Sequence, residues 1–314
     1  MFDHYPKWSQ EFARKYLSRT INQFLLHGNV HDLVALKNED SYEFLRLKSF
    51  LSDEFFGARD YVIFYDRSSG IYFRDQETQA DFNRAISGRD SLVGTEYAQK
   101  MPKDPVRVFA LLEQYFRLRL EQKKSIALVI DYAETIAPMS DASSSGNEDR
   151  TSTVFLSRWS HDPLFLATDF TTVLITENLS DLNRTLVQNP YSTEIKINIP
   201  GPIERKAFIE YDTRNDSYTD LSSVKADVLA QQTAGLNFVN IRSILSNARE
   251  NKEVITFDKL SDIKKELIEA EAYGLLEFVE TPYNLDNVAG HKHVKRHLRQ
   301  AVKALQEGRQ DVMP

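Results

Sequence analysis

An α/β fold, with a parallel sheet flanked by helices and followed by a small helical unit, is what this sequence predicts. Three observations predict it. Short apolar runs alternate with stretches whose apolar residues recur at three and four, from Phe12 to about Ile197, and strands separated by helices imply a parallel sheet covered on both faces. One run, "SIALVI" from Ser125, stops at Asp131, with Glu134 three positions on. From about Pro202 the strand signals nearly vanish and helical patterns follow one another.

The elements read as follows. "SQEFARKYLSRTINQFLLHG" carries Phe12, Tyr16, Ile21, Phe24 and Leu25 at helical spacing, with Ser9 as cap and Gly28 as stop, and is expected as one helix. "NVHDLVAL" is expected as a short strand, "SYEFLRLKSFLSDEFFG" as a second helix ended by Gly57, and "DYVIFYD" as a buried strand. "KDPVRVFALLEQYFRLRLEQKK" places Asp104 at the N-cap and Pro105 at the first helical position, where a missing N–H costs nothing. "MSDASSSGNED" reads as a polar, mobile loop before the helix "RTSTVFLSRWS" and the buried strand "FTTVLITEN". "PIERKAFIEY", "SVKADVLAQQTAG", "FVNIRSILSNARE" and "FDKLSDIKKELIEAEAYG" follow as helices, with "EVITF" a short strand at most.

Composition narrows the function. With 314 residues and 41% hydrophobic content the chain can bury a large core in about two structural units. A formal charge of -7 gives no general attraction for a phosphate backbone, so nucleic acid is not expected as a partner. The absence of cysteine excludes disulfides and thiolate metal sites and fits a reducing cytosol. The N-terminus shows no basic segment followed by an apolar run, and no stretch of about 18 apolar residues occurs. A cytoplasmic protein without a membrane partner is the expectation.

In order and spacing, these segments resemble a AAA+ ATPase module, a P-loop NTPase-like α/β domain followed by a helical lid. "IALVIDYAE" is similar to the Walker B strand, and "TTVLITEN" to the next strand, whose polar sensor-1 residue Asn178 matches best. "EIKINIPGPIERKAFIEY" resembles the passage from last strand to lid, and "LAQQTAGLNFVNIRSILSNA" the lid segment whose sensor-2 position falls on Arg242. The resemblance implies residues 1–58 as an N-terminal helical extension packed on the module, 59–201 as the α/β part and 202–281 as the lid. It implies ATP and magnesium as cofactors of the family, and Asp131, Glu134, Asn178 and Arg242 as vestigial nucleotide-site positions.

The departures from that pattern bear on function. A phosphate loop needs glycines for close backbone approach and a lysine for the phosphates, G-x-x-x-x-G-K-[ST], and no Gly-Lys pair occurs in the chain. The nearest substitutes are "DRSSGIYF", after the strand expected to lead into the loop, and "GRDSLVGTE". Tyr132 and Ala133 separate Asp131 from Glu134, where the family sets its catalytic Glu directly after the Asp, and before the last strand only Arg184 remains for a neighbouring subunit's phosphate. Asp131 therefore reads as an inherited strand-end carboxylate; a plain turn cap is the bland alternative.

"TPYNLDNVAGHKHVKRHLRQAVKALQEGRQDVMP" resembles the opening of a second AAA+ module, with Gly290 in the "D-x-V-A-G" segment near the adenine. Residues 282–314 are thus expected as a linker and first helix of that module, with Val294, Leu298, Val302 and Leu305 forming an apolar stripe. His27 and His31 read as turn and core residues, because Gly28 and Asn29 break the helix that would align them for a metal. His293 and His297 fall on a solvated basic helix face suited to an acidic neighbour, and no Ser motif pairs with a base. Two readings of function follow. One is a degenerate, non-hydrolysing module, itself without nucleotide, that binds protein substrates or adaptors and supports a homo-oligomeric ring powered by a second module. The other is a stand-alone interaction scaffold on the same fold, with no nucleotide dependence.

Overall fold

The apolar run before Asp131 is a strand buried at every position, and it lies inside a six-stranded sheet. The computed structural model describes residues 4–39, 41–140, 146–271 and 285–306. In chain order, α1 (Lys7–Leu17) leads to β1 (Gln23–Gly28), a hairpin of β2 (Leu33–Lys37) and β3 (Tyr42–Arg46), and a short α2 (Leu47–Ser49). That helix runs on as a π-helical segment, Phe50–Phe55. Then come β4 (Tyr61–Asp66), β5 (Gly70–Phe73), α3 (Gln76–Val93), α4 (Pro105–Glu121) and β6 (Ile126–Ile130). They are followed by α5 (Asn147–His161), α6 (Pro163–Ala167), β7 (Phe170–Thr176), α7 (Arg184–Val187) and β8 (Ser192–Ile197). The helical region holds α8 (Pro202–Asp212), α9 (Tyr218–Leu221), α10 (Ala226–Gln232), α11 (Phe238–Asn251) and α12 (Phe257–Glu271). The last described helix is α13 (Lys292–Gln306).

The sheet order is β5-β4-β6-β7-β1-β8, all parallel except the edge strand β5. Strand residues alternate between two cores, as a period of two requires. Ile126, Leu128 and Ile130 join Leu25, Ile63 and Tyr65 beneath the helices from α3 to α7. Ala127 and Val129 join Phe24, Leu26, Val62 and Phe64 on the other face, against Trp8 and Phe12 of α1 and Phe50. Each such fully buried large apolar side chain contributes about 1.5–3 kcal/mol, so the doubly covered sheet anchors everything positioned at its ends.

Asp104 caps α4 as predicted, its side chain accepting from the Arg107 N–H at 3.0 Å with Pro105 at the first position. Several expectations are corrected. The helix foreseen through Gly28 ends at Leu17, and Gln23–Gly28 is instead a strand between β7 and β8; a short apolar run fits either structure, and the two open parallel neighbours decide. Ser9 lies inside α1, behind Pro6 as N-cap, and its hydroxyl donates to the Pro6 carbonyl. "SYEFLRL" is strand and not helix, because Phe44 and Leu45 pair across to Ala35 and Val34. Residues 1–58 are therefore not a helical extension: they contain three strands, one of them inside the sheet. "EVITF" forms no strand; Ile255 makes only an isolated bridge to Ser222. Part of the loop "MSDASSSGNED" lies outside the described residues.

Contacts divide the chain into two units, Met1–Leu260 and Ser261–Pro314. The sheet, its helices and α8 to α11 all belong to the first. In the second, α13 exposes Val294 and Leu298, while the Val302 and Leu305 side chains lie outside the described residues.

Candidate functional site

In an open α/β sheet, ligands bind beyond the carboxyl ends of strands where neighbouring connections leave for opposite faces. Here that point lies between β1 and β7. From β1 the chain passes to the hairpin and α2 on one face, whereas from β7 it passes to α7 on the other. A cavity of about 190 Å³ opens there, lined among others by His31, Asp131, Tyr132, Glu134, Glu177 and Asp181. It is smaller than the roughly 300–1,000 Å³ of ordinary small-molecule pockets.

The strand that leads into this crevice is β1, not β4. "DRSSGIYF", expected at the loop, is the tight turn into the antiparallel edge strand β5, and most of "GRDSLVGTE" lies in α3. After β1, the residues Gly28 to Ala35 read G-N-V-H-D-L-V-A. Set on G-x-x-x-x-G-K-[ST], Gly28 holds the first glycine, and Leu33, Val34 and Ala35 stand where the second glycine, the lysine and the hydroxyl would be. Gly28 is required by the backbone. Its φ is +94°, and a Cβ there would come within 2.6 Å of the Ile197 carbonyl oxygen. Beyond it, the chain forms no helix N-terminus to receive an anion. It enters β2, pairing Val34 with Leu45 and Ala35 with Phe44 in a hairpin ladder.

Asp131, at the end of β6, is buried and ion-paired with Lys48 of α2 at 2.8 Å. Burial pulls the Lys48 ammonium down, but Asp131 and Tyr72 beside it more than offset this, and its pKa stands above the usual lysine value. Tyr132 follows in the left-handed region at φ 51°, a conformation costing about 1–2 kcal/mol for a residue with a Cβ. Its N–H donates to Asp131 Oδ1 at 3.1 Å, and its ring lies 5.6 Å from that of His31. His31 Nε2 reaches Glu177 Oε1 at 3.0 Å. Glu134 sits on the single turn Ala133–Thr135, with Oε2 buried and without a hydrogen-bond partner among the described residues.

The structure thus brings Asp131 and Glu134 to one cavity, leaves Asn178 outside its lining but bonded to a wall residue, and sends Arg242 and Gly290 elsewhere. Asn178 follows β7, and its amide donates to Asp181 Oδ2 at 3.1 Å. Arg242 points at α8, pairing with Asp212 at 3.2 Å and lying 5.1 Å over the Phe208 ring. Gly290, at φ +75°, belongs to the second unit just before α13. Arg184 is exposed at the start of α7. His27 is the last residue but one of β1, where burial lowers its pKa. Lys48 and Asp32 escaped the sequence reading: one stood inside an expected helix, the other in an expected strand. The only signal for them was a glycine followed by a non-glycine loop directly after an apolar run.

Four carboxylates, Asp131, Glu134, Glu177 and Asp181, line the cavity, and none of the lining residues is Lys or Arg. Polyphosphate sites, by contrast, supply cations and converging N–H groups. A separate, more apolar cleft of about 420 Å³ runs between the hairpin, the exit of β8 and the helical region, with Trp8, Ala35, Ile199 and Phe238 among its walls.

A Rossmann-like parallel sheet with an acid at the end of β6, joined to a helical region, defines the class of α/β proteins with a strand-end crevice. Within that class the chain belongs to the AAA+ chaperone family. The family's N-terminal Rossmann-like domain matches residues 2–198, and its second helical domain matches residues 203–273. Among solved structures, the chain is similar in fold to one in the E. coli MS115-1 HORMA:CdnC:Trip13 complex. The TM-score is 0.50 at 15% identity, over 88% of this chain and 84% of that one. No curated protein matched. No described helix is long and apolar enough to cross a membrane.

Proposed function

We propose that this chain is a protein-binding module of a AAA+ chaperone whose crevice neither holds nor hydrolyses nucleotide. The observation that carries the reading is the hairpin in place of a phosphate loop. Leu33, Val34 and Ala35 leave no cation or hydroxyl for phosphate or magnesium, and Lys48 sits on Asp131 where a metal would be sought. Hydrolysis then falls to a second module, a reading supported by the "D-N-V-A-G" segment ending at Gly290. ATP and magnesium would belong to that module. A protein substrate or adaptor is the partner we propose, in a homo-oligomeric cytoplasmic ring; the HORMA-containing complex of similar fold supports a protein partner by analogy.

The test is phosphate release from Mg-ATP by the purified 314-residue chain. The expected rate equals the protein-free background. Magnesium-dependent turnover that disappears in Asp131→Asn would overturn the proposal.

A further inference from the structure

The helix α11 begins with three N–H groups that no residue within the helix can satisfy. Asn237, its own N-cap, takes the N–H of Asn240 at 2.8 Å. The N–H groups of Phe238 and Val239 donate across the domain boundary to Asp32, at 3.0 Å to Oδ2 and 3.2 Å to Oδ1. Asp32 is 4% exposed and lies five residues before Lys37 closes β2, in the loop that follows β1. It is held by the Asn29 amide at 2.9 Å, and the Asn29 N–H is tied to the Ile197 carbonyl at the end of β8. Burial pushes the Asp32 carboxyl up, the N–H donors of Phe238, Leu33 and Val239 and the Asn29 amide pull it back, and the net direction is upward.

The same arm makes a second contact. Phe44, on β3, packs its ring 5.0 Å from Phe208, 5.1 Å from Tyr211 and 5.2 Å from Phe238, and so joins α8 and α11. Phe208 and Phe238 are themselves 4.8 Å apart and both buried.

We infer that the arm from Asn29 to Lys48 is a built-in ligand. Asp32 supplies an anion to the helical region and Lys48 a cation to Asp131, so α8 and α11 are held on the sheet without any bound molecule. A carboxylate at a helix N-terminus is favoured by the exposed N–H groups and the helix dipole, and its short tether removes the association cost of a free ligand. Phe44 adds an apolar contact that a small anion would lack. The inference extends the proposed function by stating what holds the helical region on the sheet, and it does not depend on whether a second module exists.

The test is amide hydrogen exchange on the full chain, with and without Mg-ATP, for the wild type and for Asp32→Ala and Phe44→Ala. Removing the Asp32 contact should speed exchange across Phe238–Asn251 by roughly tenfold, the size of a lost charged cap, and leave β6 and β7 unchanged. Phe44→Ala should loosen α8 and α11 together. Mg-ATP should leave wild-type exchange over α11 unaltered. Equal protection of α11 in Asp32→Ala and wild type would overturn the inference, as would loosening spread evenly over the sheet. If Asp32→Ala does not fold, Asp32→Asn, which keeps one carbonyl acceptor, should show a smaller increase confined to α11, and no increase would refute the latch. Phosphate release without a change in α11 exchange would instead refute the non-hydrolysing reading and leave the latch standing.

Discussion

Replacing Lys48 by Met keeps most of its stem and removes the ammonium that faces Asp131. Asp131 is 6% exposed and sits at the end of a fully buried strand, so it cannot turn to water. Breaking a fully buried pair by deleting one partner costs about 3–5 kcal/mol. The Lys48 side chain is 43% exposed, so solvent screens the pair, and a discounted loss of about 1–2 kcal/mol is expected. For a unit of this size that lowers Tm by about 2–6 °C. Asp131→Asn should cost less, because the stranded lysine is flexible and half-exposed and can swing into water. The double variant should recover much of the loss in a double-mutant cycle, with a coupling of about 1 kcal/mol. Thermal denaturation of the four proteins reads all three statements. A coupling near zero, or Asp131→Asn costing more than Lys48→Met, would refute the claim that Lys48 is the built-in counterion of the crevice.

Gly28→Ala places a Cβ 2.6 Å from the Ile197 carbonyl oxygen at a φ of +94°, and should destabilise the chain by about 3 kcal/mol or more in urea titration; a loss below about 1 kcal/mol would mean that β1 and β8 separate easily. Asp60 has its carboxyl held down to about 2: burial pushes it up, and the Lys124 ammonium with the N–H and hydroxyl of Ser125 outweighs that. A depressed carboxyl contributes stability that is present above its unfolded value of 3.8 and lost as pH falls toward about 2. Asp60→Asn should therefore flatten the acid side of the stability profile in that window, and an unchanged slope there would count against the Lys124 pairing.

The parallel sheet, the α4 cap and the run of helices after Pro202 were legible because each rests on local signals: buried apolar runs, an Asp before a Pro, and spacing at three and four. Asp131 was legible as a strand-end carboxylate, and the lack of a Gly-Lys pair was enough to question phosphate binding. The identity of the strand that enters the crevice was not. "INQFLLHG" is equally apolar as helix or strand, and only the open edges of β7 and β8 favour the extended form. The same holds for "SYEFLRL", which becomes strand because Leu33–Lys37 offers it a ladder. Lys48 and Asp32 acquire their roles from partners 83 and 206 residues away in sequence, Asp131 and Phe238. Arg242 was placed by pattern at the crevice and is drawn away by Asp212 and Phe208. The sequence by itself determined which faces are apolar and which motif is missing, since both are properties of short windows. Tertiary structure alone decided what fills the gap, because a charge inside the fold is stabilised by whichever opposite group the chain brings within hydrogen-bond reach, however distant in sequence.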